Sequence, residues 1–249
     1  FFLEGIYFYN FTSPEFNVNV CQLPFWSLVV FYSWKSINYE KMSDLILMGI
    51  FMSLGFLTKY LFIYLILAIK IIFIIRIIKT KTFNFKLLIP GIIFIVILTP
   101  HLIWLFQNNF ITVTYGLART EMEEAYFINH ILNPFTFLIK QIGILIPVLI
   151  MLFTFIKIKK INLKSLKKDK SFLLLINILP ILLILFTSII SGAKIRTMWM
   201  TPFYLFLGVL LIQIFNEHLN KDNLKNFLVA FVIFFILSPA SYSYISISN

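Results

Sequence analysis

The sequence predicts an all-α integral membrane protein: a polytopic bundle of about eight transmembrane helices with a partial one at the N-terminus. Two observations carry this. Eight apolar runs are long enough to cross a bilayer, at 20–36, 45–59, 61–78, 87–104, 135–156, 171–191, 201–215 and 227–245. Lysine and arginine then fall almost wholly into every second gap between them. A hydrocarbon core of roughly 30 Å calls for about 20 apolar residues in helix. Inside lipid only helices or closed barrels satisfy the backbone, and these runs lack the alternation of a barrel strand.

The elements follow in chain order. Residues 1–9 (FFLEGIYFY) read as the outer end of another helix, without the basic start or cleavage site of a signal peptide, so the chain is expected to be the C-terminal part of a longer protein. Ser13-Pro14, with Glu15, suits an N-terminal cap for the first run. The runs 45–59 and 61–78 are short, which predicts two helices folded tightly back at Thr58-Lys59-Tyr60. The fourth run closes with His101 and Trp104 on one face, at i, i+3 spacing. A long polar loop follows, with Glu121, Glu123, Glu124 and His130, and suits an amphipathic helix lying in the interface. The next run starts after Pro134, and Pro202 opens the seventh. The last ends almost at Asn249, so 1–249 reads as a single transmembrane domain.

The gaps at 35–43, 76–86, 157–170 and 216–226 hold fifteen lysines and arginines, among them Lys35, Arg76, Lys86 and Lys160. The gaps at 10–19, 105–134 and 192–200 hold only Arg119, Lys194 and Arg196. Positively charged loops stay inside, so the first set is predicted cytoplasmic and the second outer. Composition agrees: 60% hydrophobic and 12% charged residues are far from soluble-globular usage. A net charge of +11 would by itself suggest a nucleic-acid partner, but the placement of the cations, where topology and anionic lipid call for them, argues against one. A lone Cys21 excludes an internal disulfide.

Chemistry in a membrane protein shows as polar groups where lipid penalises them. The cytoplasmic gaps are short and lysine-rich, with no glycine-rich phosphate loop, which speaks against nucleotide-driven chemistry there. On the outer side Lys59, Arg119, Lys140, Lys194 and Arg196 break the charge rule together. Ammonium and guanidinium groups gathered at an interface suit an anion such as a lipid phosphate. Taken singly, Lys59 and Lys140 suit snorkelling to headgroups equally well, and Trp199 suits an interfacial aromatic belt. No HxxxH or HxxE spacing marks a metal site; a divalent ion is allowed but no cofactor is required. Glu15 is the only acid of the first outer loop, and reads as a base or as a surface acid complementing a helix dipole.

Four segments in order have a familiar look: SPEFNVNVCQLPFWSLVVFYSWK, GIFMSLGFLTKYLFIYLILA, TPHLIWLFQNNFITVTYGLAR and AKIRTMWMTPFYLFLGVL. The succession resembles bacterial glycosyltransferase family 39, related to protein O-mannosyltransferases and aminoarabinose transferases. Its "GL-x-x-L-(S/T)-K-(Y/G)" helix is matched by Gly55-Phe56-Leu57-Thr58-Lys59-Tyr60, and its "P-x-L-I-W-N" segment by Pro100-His101-Leu102-Ile103-Trp104. At the next position Leu105 replaces the polar residue, with Gln107 close by. The late "K-x-R-x-x-W-x-x-P" loop is matched by Lys194, Arg196, Trp199 and Pro202. The resemblance covers roughly 10–215.

It implies a GT-C-like fold with its site on the outer (periplasmic) face of the bacterial inner membrane. It implies as donor a polyprenyl-phosphate-linked sugar, and as acceptor a glycolipid, polysaccharide or protein. Lys59, Lys194 and Arg196 would hold the donor phosphate. Tyr60, His101, Trp104, Gln107, Arg119, Lys140 and Trp199 are further substrate-site candidates. The family's acidic first loop would precede Phe1, and Asn17 and Asn19 stand where an Asp is common, so the catalytic carboxylate is expected to be Glu15 or to lie upstream. The competing readings are a transporter or flippase of a lipid-linked or anionic substrate, expected to show polar mid-span residues, and a non-catalytic assembly subunit.

Overall fold

The computed structural model describes residues 1–10, 16–122, 126–155, 168–215 and 221–248. Glu15 and its Ser13-Pro14 cap, Glu123, Glu124, the lysines between 157 and 167, and His218 lie outside the described residues. Among the described residues the regular structure is helical throughout: α1 (Val18–Tyr39), α2 (Met42–Thr58), α3 (Ile63–Thr80), α4 (Ile89–Gln107), α5 (Ile111–Ala118), α6 (Asn129–Phe155), α7 (Lys168–Ser191), α8 (Leu207–Phe215) and α9 (Lys221–Ser248). Short 3-10 turns precede α3 (Tyr60–Phe62), α4 (Phe85–Leu88) and α8 (Thr197–Tyr204), and another covers Phe2–Gly5, where the partial N-terminal helix is expected.

A helix occupies each of the eight apolar runs, but they differ in their capacity to cross a membrane. Five are long and apolar enough alone: Tyr60–Thr80, Phe85–Gln107, Asn129–Thr154, Asp169–Ser191 and Lys221–Ile247. The seventh run makes a sixth span only as a broken pair, Thr197–Tyr204 and Leu207–Phe215, bent by 49°. At 1.5 Å per residue, α2 with its 17 residues reaches about 26 Å, short of the bilayer core. α1 is 22 residues long but buries Asn19, Gln22, Ser33 and Ser36, and this polar load lowers its hydropathy. The chain is an integral membrane protein.

Two compact units divide the chain. One comprises Asn17–Phe137 and Ile178–Pro202. Within it α1 packs on α2, and α2 on α4, while α3 touches α1. Close approach explains the glycines of α2. A Cβ at Gly49 would stand 2.9 Å from the Pro90 Cα and carbonyl oxygen, so only glycine lets α2 and α4 meet there. At Gly55 it would sit 2.4 Å from the Phe62 ring, which itself packs edge-on against Trp26 with centroids 5.5 Å apart. Small residues at helix contacts are the usual route to tight packing in lipid, where apolar burial alone gives little driving force. Polar pairs add to it: Lys35 reaches the buried Asp44 at 2.7 Å, and Tyr64 donates to Thr187 Oγ1 at 3.0 Å.

The other unit comprises Phe1–Phe16, Leu138–Asn177 and Phe203–Asn249. Its N-terminal turn packs on α8 and α9, with Phe2 against Phe227 at a ring distance of 4.7 Å. A buried hydrogen bond ties it internally, Tyr204 donating to Gln141 Oε1 at 2.6 Å, and the Asn177 amide donates to the Phe206 carbonyl at 3.4 Å.

Candidate functional site

α2 stops at Thr58 because Lys59 takes an extended conformation (φ −165°, ψ 132°), while Thr58 Oγ1 turns back to donate to the Gly55 carbonyl at 2.6 Å. The chain re-enters helix at once, the Phe62 N–H bonding the Lys59 carbonyl at 3.0 Å. This is the tight fold-back expected at 58–60, and it leaves Lys59 in the break just before the span that begins at Tyr60. Asn17 caps α1 with its side chain, accepting from the Asn19 N–H at 2.9 Å. That start presents Asn19, whose Oδ1 accepts a hydrogen bond from Lys59 Nζ.

Lys59 is half-buried, and its Nζ lies over the Trp199 ring, 5.1 Å from the centroid. Burial, first, and the nearby Arg119 charge, second, together push its pKa down to about 7. Trp199 is itself buried (8% exposed), so it is a packed wall of this site and no belt residue. It arrives on the 3-10 turn Thr197–Tyr204, where a direct loop-to-helix entry at Pro202 was expected; α8 begins only at Leu207.

The Lys194–Arg196 loop is tied down on several sides. Gly192, at φ 67°, ends α7 in the left-handed conformation that glycine tolerates best, and its N–H bonds the Ser188 carbonyl at 2.9 Å. Asn133 donates to the Gly192 carbonyl at 2.7 Å, and a His130 ring nitrogen bonds the Ile189 carbonyl at 2.8 Å. The Lys194 N–H bonds the Thr120 carbonyl at 2.8 Å, and Arg196 Nε the Arg119 carbonyl at 3.3 Å. The loop after α5 and the loop after α7 are thus stitched together. Lys194 Nζ meets Glu121 at 2.9 and 3.0 Å in an exposed ion pair, and Arg119 donates to the Tyr115 hydroxyl at 3.0 Å.

A second polar group stands beside the turn. The Tyr60 hydroxyl lies 2.8 Å from His101 Nε2 and 2.6 Å from Thr112 Oγ1, joining three separate elements. The His101 and Trp104 rings stack, with centroids 5.7 Å apart, as their i, i+3 spacing implies. Thr112 reaches this point because Asn109 and Phe110 both turn through the left-handed region (φ 49° and 55°) and start α5 as a new helix.

Lys59, Tyr60, His101, Trp104, Arg119, Lys194, Arg196 and Trp199 therefore all belong to the unit Asn17–Phe137 plus Ile178–Pro202. Gln107 ends α4 exposed. Lys140 is exposed on the part of α6 that belongs to the other unit. Glu15 lies outside the described residues. Asn19, Thr112 and Glu121 are the partners that motif reading did not assign. Asn19 had a signal, a polar residue at the start of an apolar helix; Thr112 had none, since its place depends on the turn at 109–110. Among the described residues no three His, Cys, Asp or Glu side chains gather as metal ligands. What the cluster offers is a set of cations, one of them close to neutral, beside an aromatic wall and hydroxyl, imidazole and amide groups.

Residues 1–104 match the family model described as dolichyl-phosphate-mannose-protein mannosyltransferase. Over those residues the match bears out the resemblance drawn from the motifs, and it includes Lys59, Tyr60, His101 and Trp104. No curated protein and no solved structure matches the chain.

Proposed function

We propose that this chain, with the family match as premise, is the membrane glycosyltransferase its motifs suggest, moving a sugar from a polyprenyl-phosphate donor to an acceptor at the periplasmic face of a bacterial inner membrane. The observation that carries the reading is Lys59: a half-buried cation under Trp199, whose pKa Arg119's charge helps to lower, on a turn inside the family-matched stretch. A cation held that way, which pairs with no carboxylate among the described residues, is poised for an incoming anion.

In the proposed reaction the acceptor oxygen attacks the anomeric carbon of the sugar. The bond from that carbon to the phosphate oxygen breaks as the new glycosidic bond forms, and polyprenyl phosphate leaves with the bonding pair. Lys59, Arg196 and Lys194 oppose the charge that grows on the leaving phosphate. A base takes the proton lost by the acceptor hydroxyl, and Glu15 is the candidate from this chain. Tyr60, His101 and Thr112 form a polar wall suited to sugar hydroxyls. The acceptor is a glycolipid, polysaccharide or protein.

The test is sugar transfer from a radiolabelled polyprenyl-phosphate donor in membranes, with correct insertion checked for each variant. Lys194→Glu with Arg196→Glu is expected to lower transfer at least 100-fold. Transfer at the normal rate in a correctly inserted double variant would refute the phosphate site.

A further inference from the structure

At the end of α3 away from Lys59 the structure holds a polar groove of about 580 Å³, within the usual range for small-ligand sites. It is lined by Glu40, Arg76, Thr80, Thr82, Asn84 and Lys86, with Phe83 and Phe85 at its walls. Lys59 and Arg76 are 17 residues apart along a nearly continuous helix, about 25 Å at 1.5 Å per residue. The groove therefore lies near the opposite membrane surface from the candidate transfer site and plays no part in it.

Its chemistry is that of an anion site. Residues 76–86 carry Arg76, Lys79, Lys81 and Lys86 and no acid. Arg76 is ion-paired to Glu40, which fixes the guanidinium and leaves its other N–H donors for a ligand. The backbone around it is set by local hydrogen bonds. Lys81 takes φ 53° to end α3, Thr82 Oγ1 bonds Thr80 Oγ1 at 2.9 Å, and Asn84 Oδ1 accepts from the Lys86 N–H at 3.0 Å. That last bond uses the oxygen of Asn84 and leaves its NH₂ as a donor.

The apolar surroundings identify the kind of anion. Phe83 and Phe85 are 51% and 77% exposed, with their rings edge-on at 5.2 Å. From Phe85 an exposed stripe, Leu88, Ile92 and Ile95, runs down one face of α4 at helical spacing, and Ile78 and Ile74 are exposed on α3. Cations and amide donors above, with an apolar strip leading into the bilayer, complement a molecule with a phosphate head and hydrocarbon tails. A free phosphate would gain nothing from the strip.

We propose that the groove between the end of α3 and the start of α4 binds one anionic diacyl phospholipid, its headgroup phosphate held by Arg76, Lys86 and Asn84 and its acyl chains lying along Leu88, Ile92 and Ile95. Binding is read by native mass spectrometry of the detergent-purified full chain, released from mixed micelles containing phosphatidylglycerol and phosphatidylcholine of equal chain length. Wild type should retain one phosphatidylglycerol in preference to phosphatidylcholine. Arg76→Gln with Lys86→Gln should weaken that retention about tenfold, whereas Lys79→Gln with Lys81→Gln, the same loss of charge beside the groove, should change it less than about twofold. Glu40→Gln, which releases Arg76, should strengthen it about threefold, a gain that misfolding does not produce. Equal loss in both double variants would overturn the site in favour of diffuse surface charge. Displacement of the lipid by millimolar glycerol phosphate would mean a free-phosphate site, and a dimer without retained lipid would mean that a second copy covers the strip.

Discussion

If Lys59 holds the donor phosphate, donor affinity has to fall as pH rises through neutrality, which an ordinary lysine would not produce. The cause is its setting: burial and the neighbouring Arg119 charge bring its pKa down to about 7. The sign follows directly. Below pH 7 the side chain is ammonium and attracts the phosphate; above pH 7 it is increasingly neutral and the attraction is lost. With the bound phosphate keeping Lys59 charged over the range, the apparent Kd scales as one plus ten to the power of pH minus pKa. Between pH 6 and pH 8 it should weaken about tenfold, or about 1.4 kcal/mol. The comparison protein is Lys59→Arg, whose guanidinium stays charged throughout and should bind donor with a nearly flat profile. Equilibrium binding of radiolabelled polyprenyl-phosphate sugar to purified protein, at fixed ionic strength, measures both. Two results would refute the reasoning: a flat wild-type profile, or the same slope in Lys59→Arg, which would place the titration on another group. Arg119→Gln gives a further check, because removing the like charge should move the wild-type midpoint to higher pH.

Glu121→Gln frees Lys194 from an exposed ion pair of the kind worth about 0.2–1 kcal/mol, so donor binding should tighten by a factor of about 1.4 to 5 in the same assay. Gly55→Ala drives a methyl into the Phe62 ring and should destabilise the fold by about 1–3 kcal/mol, seen as earlier thermal unfolding in detergent. Tyr60→Phe removes the hydroxyl between His101 and Thr112 and should raise the KM for donor or acceptor with a smaller change in kcat; an unchanged KM would remove the trio from the substrate wall.

The class of the protein was legible in one dimension. Long apolar runs must be helices in lipid, since no water is present to satisfy a bare backbone, and a helix stands in each of the eight runs. The break at Thr58-Lys59-Tyr60 was readable too, because two short runs meet at a charged residue. Span capacity was less so: polar residues inside α1 and the bend between Thr197–Tyr204 and Leu207–Phe215 depend on which neighbours cover them. Among the site candidates, Lys59, Arg119, Lys194 and Arg196 formed a charge pattern in the chain, while Lys140 fitted that pattern equally well and lies in the other unit.

By itself the sequence determined a helical membrane protein with cations concentrated in particular gaps, because hydropathy and loop charge are local properties that lipid reads directly. Tertiary structure alone decided that Trp199 covers Lys59, that Asn19 accepts its hydrogen bond, and that Glu121 pairs with Lys194. Those contacts join residues 40 to 140 positions apart, and no local rule sets them. They arise because the backbone turns at Lys59, Phe110 and Gly192 bring separate helix ends together, and a lysine's charge then depends on what those ends exclude from water.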